Sequence, residues 1–276
     1  MNGKDRDWNR FWLNDAAPTP SAETDSWYDV VWRYWMERWY EQFAAAPGRR
    51  MLECGCGAGR MSAYMASRGF DCTLVDYSDG ALDLAKRRFD EAGLQGRFVR
   101  ADVNRLGLGD ARFDVVLSGG VIEFFDDLER PVAEMARVLV PGGLFGASLV
   151  PLKFSGQTLA DVERTVVYGV RHLARGRWRE AFRRVRMASA ADGIRPWTLA
   201  DLERACAAAG LGEITGRVTN PFPQLALPGF LHRRYARLMR ANTLGWRRFD
   251  DSQSAWTRVW GMGYSVLARK GIESSR

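Results

Sequence analysis

The stretch Leu52-Glu-Cys-Gly-Cys-Gly-Ala-Gly-Arg60 places two cysteines and three glycines within nine residues. Such a run allows three readings: a metal clip, a redox pair, or a loop shaped around a ligand. A metal would need further ligands, and the rest of the chain offers only Cys72, Cys206, His172 and His232, each isolated in sequence. Zinc sites carry paired ligands at both ends of a loop, and redox pairs are spaced C-x-x-C rather than C-x-C. The glycines explain more. They alternate at 55, 57 and 59, directly after the apolar run Arg50-Met-Leu-Glu-Cys54, which predicts a buried strand, and before Met61-Ser-Ala-Tyr-Met-Ala-Ser67, which has helical spacing. A strand, a glycine turn and a helix N-terminus let backbone N–H groups approach a ligand without Cβ interference.

Working outward, Asp71-Cys-Thr-Leu-Val-Asp76 reads as a second short strand ending in an acid. In a doubly wound α/β domain an acid at that distance points at ribose hydroxyls bound over the first strand. Further strands are predicted at Arg97-Phe-Val-Arg-Ala-Asp102, at 113–120 and at 141–150. Between them, residues 78–89 place Ala81, Leu82, Ala85 and Phe89 on one helical face, and 131–139 has a similar period. Strands alternating with helices of this length predict a mostly parallel sheet.

The ordered motifs E-x-G-x-G-x-G (53–59), VDYS (75–78), RADV (100–103), FDVVLSGGVIEFFDD (113–127) and LVPGGLF (139–145) resemble the class I S-adenosylmethionine-dependent methyltransferases, in the branch acting on small molecules, the methyltransferase type 11-like group. The glycine spacing is not the G-x-G-x-x-G of dinucleotide-binding dehydrogenases. The resemblance covers 50–150 and implies an α/β, Rossmann-like, seven-stranded, mostly parallel sheet with helices on both faces. Its last strand would be antiparallel and supplied by Gly263-Tyr-Ser-Val-Leu-Ala-Arg269. It also implies S-adenosylmethionine as cofactor, S-adenosylhomocysteine as product, and no metal. By the same resemblance Gly55, Cys56, Gly57 and Gly59 curve beneath the amino-acid end of the cofactor, with Glu53 facing its ammonium. Asp76 takes the ribose hydroxyls, Tyr77 lies against the adenine, and Asp102 accepts from its amino group beside the Val103 backbone. Ser118 and Gly119 complete the set, and Cys54 and Cys56 are spectators as thiols.

The expected organisation is an aromatic-rich N-terminal helical cap or lid (1–48), the cofactor core (49–150), a basic helical insertion after the fifth strand (151–196), and the rest of the core (197–276). That last part carries a second insertion, 221–255, after the sixth strand. At 276 residues and 46% hydrophobic content the chain can hold one large core. No run of about 18 apolar residues predicts a membrane span, and Met1-Asn-Gly-Lys-Asp-Arg6 has no apolar signal core. Four cysteines without a framework suit a reducing compartment, so a cytoplasmic protein is expected. Oligomeric state is not readable.

Charge and aromatic residues are unevenly placed. Residues 1–150 hold 18 Lys and Arg against 23 Asp and Glu, whereas 151–250 hold 18 against 8. The densest basic run, 171–186, contains Arg171, His172 and Arg175 at helical spacing, with Trp178 and Phe182 interleaved. It reads as a substrate lid for a phosphate- or carboxylate-bearing small molecule, as an RNA-binding patch, or as a solvated arginine-rich face. In 26–43, Tyr28, Trp32, Trp35, Trp39 and Phe43 share one helical face, mainly for core packing. Trp27 and Tyr28 would close over the site, where an aromatic face attracts a sulfonium, and Trp8, Phe11 and Trp12 would form a further flap. In 221–240, Phe230, Leu231, Tyr235 and Leu238 alternate with Arg233, Arg234, Arg237 and Arg240. This suits packing on the sheet edge or peripheral contact with a membrane surface.

Methyl transfer mainly requires alignment and exclusion of water, with a base where the acceptor must lose a proton. Where small-molecule relatives carry Glu-His, this chain has Ile122-Glu123-Phe124. That leaves His172, Glu123, Asp126 or Asp127 as the base, or no base at all. His172 and Glu123 are the candidate catalytic residues, and Phe124, Trp27, Arg171 and Arg175 the candidate acceptor contacts. The expected activity is methylation of O or N in a small metabolite of specialised metabolism. Ser118-Gly-Gly-Val121 departs from the N/D-P-P-Y/F signature of base-amino methyltransferases, so a nucleic-acid target, or a noncatalytic RNA binder, is the less favoured expectation. Carbon methylation of a prenyl diphosphate is a further alternative.

Overall fold

The computed structural model describes residues 27–153, 155–178, 194–219, 227 and 229–272. Trp8, Phe11, Trp12, Phe182 and the side chains of Trp27, Tyr28 and Arg171 lie outside the described residues.

In chain order the elements are α1 (Trp27–Phe43), β1 (Arg50–Cys54), α2 (Arg60–Ala66), β2 (Asp71–Asp76), α3 (Asp79–Glu91), β3 (Arg97–Arg100), β4 (Phe113–Gly119), a 3-10 turn (Ile122–Phe124), α4 (Glu129–Val138), and β5 (Leu139–Leu149). There follow α5 (Gly156–Leu173), α6 (Leu199–Ala208), β6 (Leu211–Thr219), α7 (Gly229–Ala241), α8 (Thr243–Ser252), α9 (Ala255–Trp260) and β7 (Gly263–Lys270). The strands form one seven-stranded sheet in the order β3-β2-β1-β4-β5-β7-β6. β1 to β5 run parallel, and β7 enters antiparallel between β5 and β6. The expected mostly parallel sheet, its antiparallel last strand and the insertions after β5 and β6 are all present.

The central strands are buried on both faces, which is why they read as continuous apolar runs. Met51, Leu74, Val115 and Leu144 point to one face, packed by Trp39 and Phe43 of α1, Met61 and Met65 of α2, and Leu82 and Phe89 of α3. Leu52, Val75, Val116 and Phe145 point to the other, packed by Val132 and Met135 of α4 and Leu202 and Cys206 of α6. Local signals start the helices. Ser78 caps α3 by accepting from Ala81 N–H at 3.2 Å, and Thr198 and Asp201 form a capping box on α6.

The aromatic helix α1 differs from the single-stripe expectation. Trp39 and Phe43 stack at 5.2 Å and approach β5 at Gly146, where a Cβ would lie 2.7 Å from both rings. Val31 and Tyr34, which lie off that stripe, are also buried, against Ala236 and Met239 of α7. The helix therefore has two buried faces. Its second partner is α7, which the sequence expectation placed on the sheet edge and the structure places on α1.

Candidate functional site

The chain order reverses between β1 and β4, so the loops leaving these two strands flank the crevice at the carboxyl edge of the sheet where open α/β folds hold ligands. On one side lies the glycine loop. Gly55, Gly57 and Gly59 have φ of 71°, 51° and 66°, in the left-handed region that L side chains rarely adopt. Gly55 is also required sterically, because a Cβ there would meet Val121 Cγ2 at 2.2 Å. The loop is tied down from three directions. Gly55 and Cys56 N–H donate to the Val75 carbonyl at 2.7 and 2.9 Å, Arg88 Nε donates to the Ala58 carbonyl at 2.7 Å, and Gly57 N–H donates to Asp76 Oδ2 at 2.9 Å.

Asp76 ends β2, nine-tenths buried, and accepts Ser78 N–H on its other oxygen at 2.9 Å. Burial raises its pKa and the backbone donors oppose that rise. The Tyr77 N–H also acts on the carboxylate, which with about four acceptor sites still retains acceptor capacity. Glu53 is buried on β1, where its Oε2 accepts both the backbone N–H and the hydroxyl of Ser62. Desolvation pushes its pKa up to about 7. Ser62 of α2 is thus a partner that no motif announced, and it commits one oxygen of Glu53 within the protein. Tyr77 is 49% exposed at the rim, with the Arg100 guanidinium 5.7 Å from its ring centre. Asp102 Oδ1 accepts the backbone and side-chain N–H groups of Asn104, each at 3.0 Å, while Val103 is buried in the core.

On the β4 side the Ser118 hydroxyl is fully buried and donates to the Cys54 carbonyl at 3.2 Å. Its side chain therefore braces β4 against the end of β1, and Gly119, exposed, ends the strand. All four cysteines are reduced and buried, and desolvation raises the thiols of Cys54 and Cys56. Among the described residues no group of three or more His, Cys, Asp or Glu side chains could hold a metal.

Glu123 lies in the 3-10 turn beyond β4 and is 1% exposed. Its Oε1 accepts Val150 N–H, just past β5, at 3.3 Å, and its carbonyl accepts Arg195 N–H at 2.8 Å. Its Oε2 has no hydrogen-bond partner among the described residues. Desolvation, the largest influence, pushes its pKa up to about 7. Glu123 thus touches both ends of the insertion that follows β5. The returning end is held again nearby, with Arg195 ion-paired to Asp126 and Trp197 Nε1 donating to the Phe125 carbonyl at 3.1 Å. Phe124, half-buried, sits beside Glu123 in the same turn.

The expected cluster of Arg171, His172 and Arg175 falls at the far end of α5. That helix starts at Ser155, close after β5, and carries His172 about 25 Å along its axis. His172 is half-buried in the last turn and Arg175 is exposed beyond it. Exposed Val162, Val166 and Val170 give the helix an apolar stripe ahead of the basic run, of which residues 179–186 lie outside the described residues. From α1, Asp29 reaches Arg60 at 3.9 Å, and the Arg60 guanidinium lies 5.7 Å from the Trp32 ring centre. Arg60 opens α2 directly after Gly59, so α1 contacts the start of α2. Among the described residues no helix is long and apolar enough to cross a membrane.

Residues 52–147 match a family model described as a methyltransferase domain. A malonyl-[acyl-carrier protein] O-methyltransferase of Serratia marcescens is 32% identical over 108 residues, 39% of this chain and 41% of that protein. A demethylmenaquinone methyltransferase of Renibacterium salmoninarum is 30% identical over 154 residues, 56% of this chain and 61% of the relative. The matches thus span about two fifths to three fifths of these relatives. Among solved structures, the [4+2]-cyclase SpnF superposes with a TM-score of 0.58 at 21% identity, covering 98% of this chain and 95% of that one. A SAM-dependent methyltransferase from Archaeoglobus fulgidus superposes at 0.56 with 14% identity, covering 89% and 95%. These two likenesses establish the fold alone.

Proposed function

We propose that this chain, whose residues 52–147 match a methyltransferase-domain model, is a class I S-adenosylmethionine-dependent methyltransferase that transfers the methyl group of that cofactor to oxygen or nitrogen of a small-molecule metabolite. The observation that carries the reading is the pair of carboxyl groups at the carboxyl edge of the sheet, Asp76 above the glycine loop and Glu123 between the ends of β4 and β5.

The residues present fit the cofactor. Asp76 keeps acceptor capacity beyond the N–H groups of Gly57, Ser78 and Tyr77, which a ribose hydroxyl could use. The loop glycines supply backbone without side chains where the amino-acid end would lie. Tyr77 offers an exposed ring at the rim for a flat base, and Asp102 stands one strand further on. When bound, the cofactor supplies an electrophilic methyl on a sulfonium.

Glu123 would do the proton work. Its Oε2 is buried, unpartnered among the described residues, and next to the strand ends from which an acceptor approaches. With its pKa raised to about 7, the carboxyl is substantially ionised near neutrality yet basic enough to take a proton from a hydroxyl or ammonium. His172 stays with the distal end of α5, so Glu123 is the better placed of the two. The relatives are named for malonyl-[acyl-carrier protein] and for demethylmenaquinone, which supports an acceptor with an acidic or ring-borne site. SpnF is a cyclase on the same fold, so turnover must be measured directly.

The test is release of S-adenosylhomocysteine and transfer of labelled methyl to a panel of phenols, carboxylic acids and amines. Glu123→Gln should lower kcat about 10²- to 10⁴-fold while S-adenosylmethionine affinity stays near wild type. Absence of cofactor binding by calorimetry would overturn the proposal.

A further inference from the structure

We infer that the solvent face of α7 and the start of α8 form a docking surface for an anionic phospholipid bilayer. α7 is held on α1 by Ala236 and Met239, which pack on Val31 and Tyr34. The face left outward carries Leu231 and Leu238, 37% and 63% exposed and two helical turns apart, and Leu244 follows at 72%. Exposed leucines alone need no explanation. These three come with Arg233, Arg234, Arg237 and Arg240, all exposed on the same short helix.

The charge is one-sided. From 227 to 249 the sequence contains six arginines and no Asp or Glu. Arg247 is turned inward to Glu41, at 2.9 and 2.5 Å, while among the described residues no ion pair reaches Arg233, Arg234 or Arg237. On the helical projection Leu231 and Leu238 fall on one flank of the outward face, Arg233 and Arg240 on the other, with Arg234 and Arg237 between. Apolar side chains beside a row of guanidinium groups match the acyl boundary and phosphates of an anionic leaflet. Single-stranded nucleic acid would instead need aromatic stacking platforms, and Tyr235 and Trp246 are half-buried in the contact with α1.

The experiment is co-sedimentation of the full chain with vesicles of phosphatidylcholine alone and with about one third phosphatidylglycerol. It does not depend on turnover, so its failure leaves the proposed activity untouched. The bound fraction should rise at least about fivefold with the anionic lipid and fall back in 0.5 M salt. Leu238→Ser with Leu244→Ser, and separately Arg234→Glu with Arg237→Glu, should each abolish most of the gain. All four side chains are exposed, so unfolding temperatures should stay near wild type. No binding to either vesicle, or binding indifferent to both double variants, overturns the inference. RNA binding lost in the arginine variant but kept in the leucine variant would assign the face to nucleic acid. A concentration-dependent dimer abolished by the leucine variant would assign it to a second copy, and either result overturns the lipid reading.

Discussion

The Tyr34 hydroxyl donates to Asp250 Oδ2 at 2.8 Å, joining two buried residues 216 positions apart in sequence. It links α1 to α8 beneath an exposed set of ion pairs made by Arg38, Arg217 and Arg247 with Asp251 and Glu41. Burial and the neighbouring carboxylate both hold the phenol in its protonated, donating form. Tyr34→Phe should therefore cost about 1–3 kcal/mol, because a buried carboxylate loses a donor. Arg247→Ala, which breaks an exposed pair, should cost less than about 1 kcal/mol. Urea unfolding of the two variants checks this order, and equal effects would show that the Tyr34 bond contributes nothing special.

Asp76→Ala removes the acceptor for Gly57 and Ser78 N–H as well as the one proposed for the ribose. Affinity for S-adenosylmethionine should fall by about 2 kcal/mol or more, roughly 30-fold. Isothermal titration calorimetry reads this directly, and unchanged affinity would remove Asp76 from the cofactor site.

At Gly55 two costs coincide. A left-handed backbone costs an L residue about 1–2 kcal/mol, and driving a methyl into Val121 adds about 1–3 kcal/mol. Gly55→Ala should be strongly destabilising, and a second change, Val121→Ala, should recover only the packing part. Full recovery would mean that backbone conformation is not limiting there.

Glu123 gives stability a pH dependence of known sign. Its pKa is near 4.5 in the unfolded chain and about 7 in the folded one. Between these values the folded state keeps a proton that the unfolded state has lost, so stability falls as pH rises, by on the order of 3 kcal/mol across the window. Glu53, also raised to about 7 by burial, acts in the same direction. Glu123→Gln should flatten part of this slope, so that its stability relative to wild type is greater at about pH 8 than at about pH 5. Parallel slopes in chemical unfolding at the two pH values would contradict the burial argument.

Much of the core is legible along the chain because its signals are local. The runs at 50–54 and 71–76 are strands over those bounds, since a strand buried on both faces is mostly apolar, and glycines at 55, 57 and 59 meet a backbone requirement of a few residues. The antiparallel entry of β7 followed from family resemblance, and strand pairing bears it out.

What only the tertiary structure decided is how distant segments meet. Ser62 on Glu53, Val121 in the space beside Gly55, and Arg195 N–H on the Glu123 carbonyl leave no periodic trace, because each is a single contact set by packing. The same holds for α1. Residues 27–43 announce one aromatic stripe, and that stripe was enough to predict a helix on a core. Whether Val31 and Tyr34 are also buried depends on α7, about 200 residues later, folding back onto them. Helical period determines which side chains share a face; the partner of that face is chosen by topology, and the burial energy is distributed only once the chain has closed.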